Sequence, residues 1–165
     1  MIRFQRAGAA DRVTVRDLLA QEHLYYYPEP LSESALGKSV ADIVDRGTCA
    51  MEIALSPEDM GAERPVGFAT FTILHPSENG GGTLFLKDLF VIEEARSAGV
   101  GRRLLGHLAG IAEAEGCARF DWTTETDNPG AQRLYDRLGA ERVVEKVYYR
   151  VVEKDLAAFR DRCGD

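Results

Sequence analysis

The segment from Arg96 to Arg103 combines two glycines with three arginines, a combination suited to holding an anion. Gly99 and Gly101 lack a Cβ atom, so the main chain there can adopt unusual conformations and approach a ligand closely. Amide N–H groups at the start of a helix have no intrahelical acceptor, and the helix dipole makes that end electropositive. If a helix follows this turn, the segment is suited to a phosphate or pyrophosphate.

The residues on both sides of the turn predict that it joins a strand to a helix. Residues 84–91 form a run rich in bulky apolar side chains, as expected of a buried strand. After the turn, apolar residues recur at helical spacing: Val100, Leu104, Leu105, Leu108, Ile111 and Ala112. The simpler alternative is an ordinary strand-to-helix turn in which the two glycines serve no ligand.

The spacing of small residues decides against two common phosphate-binding motifs. A dinucleotide fingerprint needs Gly or Ala three residues after the second glycine, and that position is Leu104. The chain also lacks the Gly-Lys-Ser/Thr sequence that binds nucleoside triphosphates. The predicted anion therefore belongs to a different class of ligand.

Two segments resemble the sequence motifs of one family, the GCN5-related N-acetyltransferases (GNAT). Residues 96–101 follow a Leu-Phe-Val strand and match Arg/Gln-x-x-Gly-x-Gly/Ala, the acetyl-coenzyme A motif of that family. Residues 128–139 are similar to its other well-marked segment, Asn-x-x-Ala-x-x-Leu-Tyr-x-x-x-Gly. Together the segments and their spacing cover about a third of the chain, and the remainder agrees in element order.

The resemblance implies that acetyl-coenzyme A (acetyl-CoA) is the cofactor. The main chain of Leu89, Phe90 and Val91 would hold the pantetheine arm as though it were another strand. Asn128 and Tyr135 would lie near the thioester end. The residues that would wrap the pyrophosphate are Arg96, Ser97, Ala98, Gly99, Val100, Gly101 and Arg102.

The reaction implied by the resemblance transfers an acetyl group from sulfur to an amine by direct attack. A backbone N–H near Phe90 or Val91 would stabilise the developing oxyanion, a contribution of roughly 3 to 4 kcal/mol in other enzymes. Tyr135 would protonate the departing thiolate, since a tyrosine ordinarily keeps its proton at neutral pH. The alternative for Tyr135 is a tyrosine that only packs in the core.

The chain departs from the branch of the family that it otherwise resembles in motif, the diamine and thialysine acetyltransferases. In that branch, Leu-Glu-Asp-Phe/Leu-Phe-Val supplies a glutamate that assists deprotonation of the amine. This chain has Lys87 at that position, so the leading replacement bases are Asp88 and Glu125. Deprotonating a lysine-like amine at pH 7 costs roughly 4.6 kcal/mol, so a base or a water chain should help.

Lys87 is expected to influence the choice of acceptor. Strand alternation would place it on the same face as Leu89 and Val91, with its ammonium toward the acceptor. A cation there disfavours a polycationic acceptor and favours a small-molecule amine that also carries a carboxylate. Alternatively, Lys87 pairs with a neighbour such as Asp88 or Glu125.

Three consecutive tyrosines, Tyr25, Tyr26 and Tyr27, precede two prolines and are predicted to lie on a loop between two helices. Each tyrosine supplies a large apolar face with one polar tip, so the loop could be a lid that shapes a substrate pocket. The alternative is that one or two of these tyrosines simply pack onto the sheet.

The order of elements predicts a mixed α/β sheet in a single domain, residues 1–165. The pattern gives a strand, two helices, three antiparallel strands, a helix, a strand, a helix, and two closing strands at residues 143–144 and 147–152. A surface loop is predicted over residues 56–64. The resemblance implies the GNAT fold, with about seven mostly antiparallel strands and about four helices, in which strands 4 and 5 are parallel and splay apart.

Composition narrows the classes of partner. A net charge of −7 argues against a nucleic-acid surface, which needs a basic face. No apolar run is long enough to span a bilayer, so no membrane association is expected and we expect a cytoplasmic protein. The three cysteines do not have metal-ligand spacing, so no metal site is expected.

Other functions stay open from the sequence. A non-catalytic acyl-CoA-binding module could use the same turn to sense the cofactor, and the missing glutamate keeps this alternative alive. A protein N-terminus or lysine side chain could be the acceptor, although the tyrosine segment would more naturally cover a small pocket than an open groove. The resemblance also implies a homodimer, because members of the family commonly pair through their last strands.

Overall fold

The computed structural model describes residues 1–58 and 61–164, which contain a five-stranded sheet. The strands are β1 (Arg3–Arg6), β2 (Ala50–Pro57), β3 (Glu63–Leu74), β4 (Gly82–Val91) and β5 (Cys117–Trp122). They lie side by side in chain order, with β1 to β4 antiparallel and β5 parallel to β4. The predicted mixed α/β sheet and the parallel pairing of its fourth and fifth strands are confirmed.

Five α-helices accompany the sheet in the described residues: α1 (Arg12–Tyr26), α2 (Glu33–Val44), α3 (Val100–Ala114), α4 (Pro129–Arg137) and α5 (Leu156–Cys163). α2 begins after Ser32, whose hydroxyl accepts a hydrogen bond from the Ala35 amide. α4 begins in the same way after Asn128. None of the helices in the described part of the chain is long and apolar enough to cross a membrane.

The chain divides into two compact units, Met1–Glu125 and Thr126–Asp165. The first unit holds the sheet with α1, α2 and α3, and the second holds α4 and α5. In the first unit, α3 packs on β2 to β5, while α1 packs on α2 and β3. The almost fully buried side chains of this core include Val15, Leu18, Phe68, Leu104 and Leu108. The burial of these apolar side chains provides the main driving force for folding of the unit.

A buried carboxylate joins α3 to the first two strands. Glu52 of β2 is only 4% exposed and accepts a hydrogen bond from Arg6 Nε at 2.5 Å. Its other oxygen lies 2.9 Å from Nε2 of His107 on α3, whose ring stacks on Phe4. Burying a polar side chain costs free energy unless it has such partners, so these contacts hold α3 against β1 and β2.

A β-bulge interrupts the pairing of β3 with β4. Thr70 pairs with Asp88 and Phe71 pairs with Leu86, which leaves Lys87 as the extra residue on β4. Side chains alternate between the two faces only along an uninterrupted strand. The sequence argument for the orientation of Lys87 assumed such a strand, and that argument is wrong.

The prediction of two closing strands at residues 143–144 and 147–152 is also wrong. Residues 140–152 form neither helix nor strand. Valine and tyrosine favour strands, but this preference depends on context, and a strand also needs a neighbour for its backbone hydrogen bonds. In the described residues the sheet therefore has five strands rather than about seven.

The loop predicted over residues 56–64 is shorter than expected. β2 continues to Pro57 and β3 begins at Glu63, so both strands extend into the predicted loop. Residues 59 and 60 of this loop lie outside the described residues. The described part confirms an antiparallel connection between the two strands.

Candidate functional site

The anion turn, defined as residues 96–102, has a backbone conformation suited to an anion. α3 starts at Val100, and its N-cap Gly99 lies in the left-handed region with φ at +78°. Ser97 is also left-handed, with φ at +65°, a conformation that few residues other than glycine adopt. Left-handed residues in a turn direct successive N–H groups toward one side and create a concave anion site. The unpaired amides of the first turn of α3 add further donors.

β4 and β5 separate beside the anion turn. The parallel pairing begins at Gly82 with Cys117 and ends at Leu86 with Trp122. In the described residues, positions 89–91 therefore have β3 on one side and no strand on the other. The predicted splay of the two strands is confirmed, and it leaves an edge to which an extended ligand can add as a strand does.

Val91 directs its amide into this opening. The Ile92 amide donates a hydrogen bond to the Val66 carbonyl of β3 at 3.1 Å. Residues of an antiparallel pair alternate between bonding to the neighbouring strand and pointing away from it, so Val91 points away from β3. From that side, Arg96 Nε donates to the Val91 carbonyl at 3.0 Å. Of the two predicted oxyanion donors, Phe90 and Val91, the geometry favours Val91.

Arg96 and Tyr25 connect the anion turn to the end of α1. The guanidinium carbon of Arg96 lies 4.4 Å from the centre of the Tyr25 ring and 6.0 Å from that of Phe90. The Tyr25 and Phe90 ring centres are 6.3 Å apart. A cation over an aromatic ring contributes about 0.5 to 1 kcal/mol at an exposed site. Tyr25 therefore contacts both a predicted cofactor residue and β4.

The three tyrosines occupy different positions, which corrects the prediction that all lie on a loop. Tyr25 and Tyr26 are the last residues of α1, and Tyr27 is its C-cap. Pro28 disfavours a helical conformation at the residue before it, so α1 ends at Tyr26. All three tyrosines are more than half exposed, and the Tyr27 ring stacks on His23. Of the three, Tyr25 makes the ring contact with β4 described above.

Two donors hold the Asp88 carboxylate next to the bulge. Thr70 Oγ1 donates to its Oδ2 at 2.6 Å, and Lys87 Nζ donates to its Oδ1 at 2.9 Å. The hydrogen bond to Asp88 is the main cause of the raised pKa of the Lys87 ammonium. The alternative in which Lys87 pairs with Asp88 is therefore confirmed.

Glu22 is a functional candidate that the sequence analysis missed. It lies on α1, and burial is the main cause that raises its pKa from an ordinary value of 4.5 to about 7. The charge of Asp88 raises this pKa further, and Lys87 partly offsets the rise. Strongly perturbed acids cluster at functional sites. No motif marks Glu22, although its spacing from Tyr25 and Tyr26 predicts that the three share one face of α1.

Asn128 and Tyr135 belong to α4 in the second unit. Asn128 Oδ1 accepts a hydrogen bond from the Ala131 amide at 3.1 Å and so caps the helix. The Tyr135 carbonyl accepts from the amides that follow the helix. Glu125 is the last residue of the first unit. The chemical roles predicted for Asn128, Tyr135 and Glu125 stay predictions.

Comparison with known families gives a match over most of the chain. The model of the acetyltransferase (GNAT) family matches residues 13–140. This range includes both segments on which the sequence resemblance rests. It also includes the anion turn, the open edge of β4 and Glu22.

Individual relatives are also named as N-acetyltransferases. Thialysine N-epsilon-acetyltransferase of Mus musculus is 25% identical over 113 residues, which is 68% of this chain and 66% of that protein. Aminoglycoside N(6')-acetyltransferase type 1 of Salmonella typhimurium is 28% identical over 88 residues, 52% of this chain and 61% of that protein. The chain thus spans less than two thirds of the length of these curated relatives.

One solved structure is similar over almost its whole length. The integron cassette protein from the mobile metagenome of V. cholerae superposes with a TM-score of 0.78 at 31% sequence identity. The superposition covers 96% of this chain and 97% of that protein.

Proposed function

The chain belongs to the acetyltransferase (GNAT) family, and we propose that it transfers an acetyl group from acetyl-CoA to a primary amine of a small molecule. The observation that carries the proposal is that the anion turn lies beside the open edge of β4. Gly101, in the first turn of α3, lies over the side chains of Leu89 and Val91. The turn is suited to a diphosphate and the edge to the amide-bearing arm that follows it in acetyl-CoA.

The chain's own groups bind and orient this cofactor mainly through the backbone. Acetyl-CoA, when bound, supplies the acetyl group as an activated thioester. The amides of the anion turn bind the diphosphate, and Arg96 and Arg102 add positive charge. Residues 89–91 orient the arm, and the outward-pointing amide of Val91 stabilises charge on the carbonyl oxygen. Calorimetry that detects no association with CoA would overturn the proposal.

Tyr135 is proposed as the acid that protonates the departing thiolate. The support is its position in the segment from Asn128 to Gly139. The test measures release of free thiol from acetyl-CoA across a panel of amines, for wild type and Tyr135→Phe. We expect kcat to fall by about 100-fold in the variant with unchanged CoA affinity, since general acids typically contribute 10²- to 10⁴-fold. Tyr149→Phe, outside both motif segments, is the matched control with unchanged rate.

The same panel separates the competing functions. CoA binding without thiol release for any amine would identify a non-catalytic acyl-CoA-binding module. Thiol release only with a protein N-terminus or lysine side chain would identify a protein acetyltransferase. Release with a small-molecule amine supports the proposal.

The acceptor is further proposed to carry a carboxylate beside its amine. Lys87 supports this, because its side chain is 68% exposed and an ammonium has three donors, so it can bind a second carboxylate while bonded to Asp88. The panel therefore compares lysine, thialysine and other amino acids, which carry a carboxylate, with an aminoglycoside and spermidine, which do not. Clear preference for spermidine would contradict this part of the proposal.

A further inference from the structure

Glu22 and Asp88 interact electrostatically, and each lies near the contact between the end of α1 and β4. The contact of Tyr25 with Phe90 places the last turn of α1 against the end of β4. Glu22 precedes Tyr25 by three residues, a rise of about 4.5 Å along a helix. Asp88 precedes Phe90 by two residues on the same face, about 6.6 Å along a strand. The electrostatic effect of Asp88 on Glu22 agrees with this placement.

The two carboxyl groups differ in their hydrogen bonds. Both Asp88 oxygens accept hydrogen bonds, one from Thr70 and one from Lys87. Within residues 1–58 and 61–164, no hydrogen bond reaches the Glu22 carboxyl group. Both oxygens of Asp88 therefore have donors, whereas both oxygens of Glu22 are available for a proton.

We propose that Glu22 is the base that accepts a proton from the acceptor ammonium, and that Asp88 holds this ammonium beside it. The proposal rests on the proposed acetyl transfer and supplies the base that its motif lacks at Lys87. We call Glu22, Thr70, Lys87 and Asp88 the acceptor cluster. Its net charge is −1 when Glu22 is ionised, which favours binding of a cationic amine.

Acetyl transfer removes two protons from the acceptor nitrogen. The acceptor ammonium gives one proton to Glu22 and becomes a neutral amine. Its nitrogen forms a bond to the acetyl carbon, the bond from that carbon to sulfur breaks, and the nitrogen loses a second proton. The departing thiolate takes one proton, which the proposed function assigns to Tyr135. One proton is released to solvent for each amide formed.

The environment of Glu22 suits this role. Its pKa of about 7 instead of 4.5 makes proton transfer from a lysine-like ammonium about 300-fold more favourable than transfer to an ordinary glutamate. The groups that face it are Asp88 and Lys87 from β4 and Tyr26 from α1. Arg96 from the anion turn interacts with Tyr26, and Cys49 before β2 interacts with Asp88 and Lys87. At neutral pH about half of Glu22 is ionised and able to act as a base.

The test is the pH dependence of kcat/KM for the panel amine that wild type acetylates fastest. A base that acts on the ammonium gives a rate that rises to a pH near 7 and then stays level up to the pKa of the amine. For Glu22→Gln, we expect a decrease of about 100-fold at pH 8 and a rate that keeps rising with pH up to the amine pKa. For an amine that is already neutral at pH 7, Glu22→Gln should lower kcat/KM much less.

Two controls show that the variant is intact. Glu113→Gln removes an exposed glutamate of α3 and should leave the pH profile unchanged. Glu22 has a raised pKa in the folded chain, so wild type loses stability as the pH rises from 4.5 to about 7 and has the full penalty above that pH. Glu22→Gln should therefore be at least as resistant to urea as wild type at pH 8, with the same CoA affinity.

The outcomes separate this inference from the proposed function. If kcat/KM of Glu22→Gln is still level above pH 7, or is the same as in wild type, Glu22 is not the base. The proposed acetyl transfer is unaffected by that result. Absence of thiol release in wild type for every amine overturns the proposed function and this inference together. Loss of the level region with intact CoA binding supports both.

Discussion

The anion turn and the acceptor cluster are built in opposite ways. The anion turn and the edge beside it occupy residues 89–102, a continuous stretch that offers a ligand mainly backbone amides. The acceptor cluster draws its side chains from α1, β3 and the bulge of β4, between residues 22 and 88. The first region depends on backbone conformation and the second on the charges of a few side chains.

The two kinds of site suit different ligands. A backbone site suits a diphosphate and an extended arm that are the same in every turnover, because conformation alone aligns the donors. A site made of charged side chains from separate elements can be changed one residue at a time. The acceptor cluster is therefore the region in which we expect substrate specificity to be decided.

The largest expected effect comes from a change of backbone conformation in the anion turn. Gly99 and Gly116 both have positive φ, and a Cβ at either position would meet no atom within 4 Å. Valine at either site therefore costs mainly backbone strain, about 1 to 2 kcal/mol. In Gly99→Val the turn must also give up hydrogen bonds to the diphosphate, worth about 3 kcal/mol together, so CoA affinity should fall by about 100-fold.

Calorimetry with CoA and urea unfolding of both variants measure this difference. Gly116→Val, the matched control at the C-terminal end of α3, should lose similar stability and keep wild-type CoA affinity. Equal CoA affinities in the two variants would show that the conformation of the anion turn does not bind the diphosphate.

A smaller effect, confined to the acceptor, is expected from Asp88→Asn. Loss of this charge should raise the KM for the amine by about 10-fold, in the range expected for one hydrogen bond to a charged group. The charge of Asp88 raises the pKa of Glu22, so its removal lowers that pKa. Because Glu22 acts when ionised, the rising limb of the kcat/KM profile should move to lower pH.

The control is a second loss of negative charge in the same unit. Asp45→Asn, at the C-cap of α2 and paired with Arg12, should change neither the amine KM nor the pH profile. CoA affinity should stay at its wild-type value in both variants. A weaker CoA affinity in Asp88→Asn would show that the acceptor cluster also contributes to cofactor binding.

The two regions also differ in how well the sequence predicts them. The anion turn, the start of α3 and the splay after Leu86 were predictable, since short-range glycine spacing and a family motif specify them. Glu22 was not predictable as a site residue, because its pKa depends on packing against a strand far along the chain. Local patterns specify local geometry, whereas electrostatics between distant segments requires the fold.

Two errors in the predicted sheet have the same origin. The bulge at Lys87 leaves no signal in the alternation of β4, because it depends on the register with β3. Residues 143–152 have the composition of strands, yet composition does not supply a neighbouring strand for their hydrogen bonds. Register and pairing are properties of two segments, and no single segment determines them.

The smallest and most specific effect is expected from Lys87→Met, which removes the charge and keeps an unbranched stem. The ammonium of Lys87 lowers the pKa of Glu22, so its loss raises that pKa. The rising limb of kcat/KM should then move to higher pH, opposite to Asp88→Asn, with a decrease of a few-fold at pH 7 and none near pH 9. The KM should rise only for amines that carry a carboxylate, because Lys87 is the proposed partner of that group. A limb that moves in the same direction in both variants would contradict the opposed effects of the two charges on Glu22. It would show that the charges of Asp88 and Lys87 do not control Glu22, so the acceptor cluster would no longer differ from the anion turn in depending on side-chain charge.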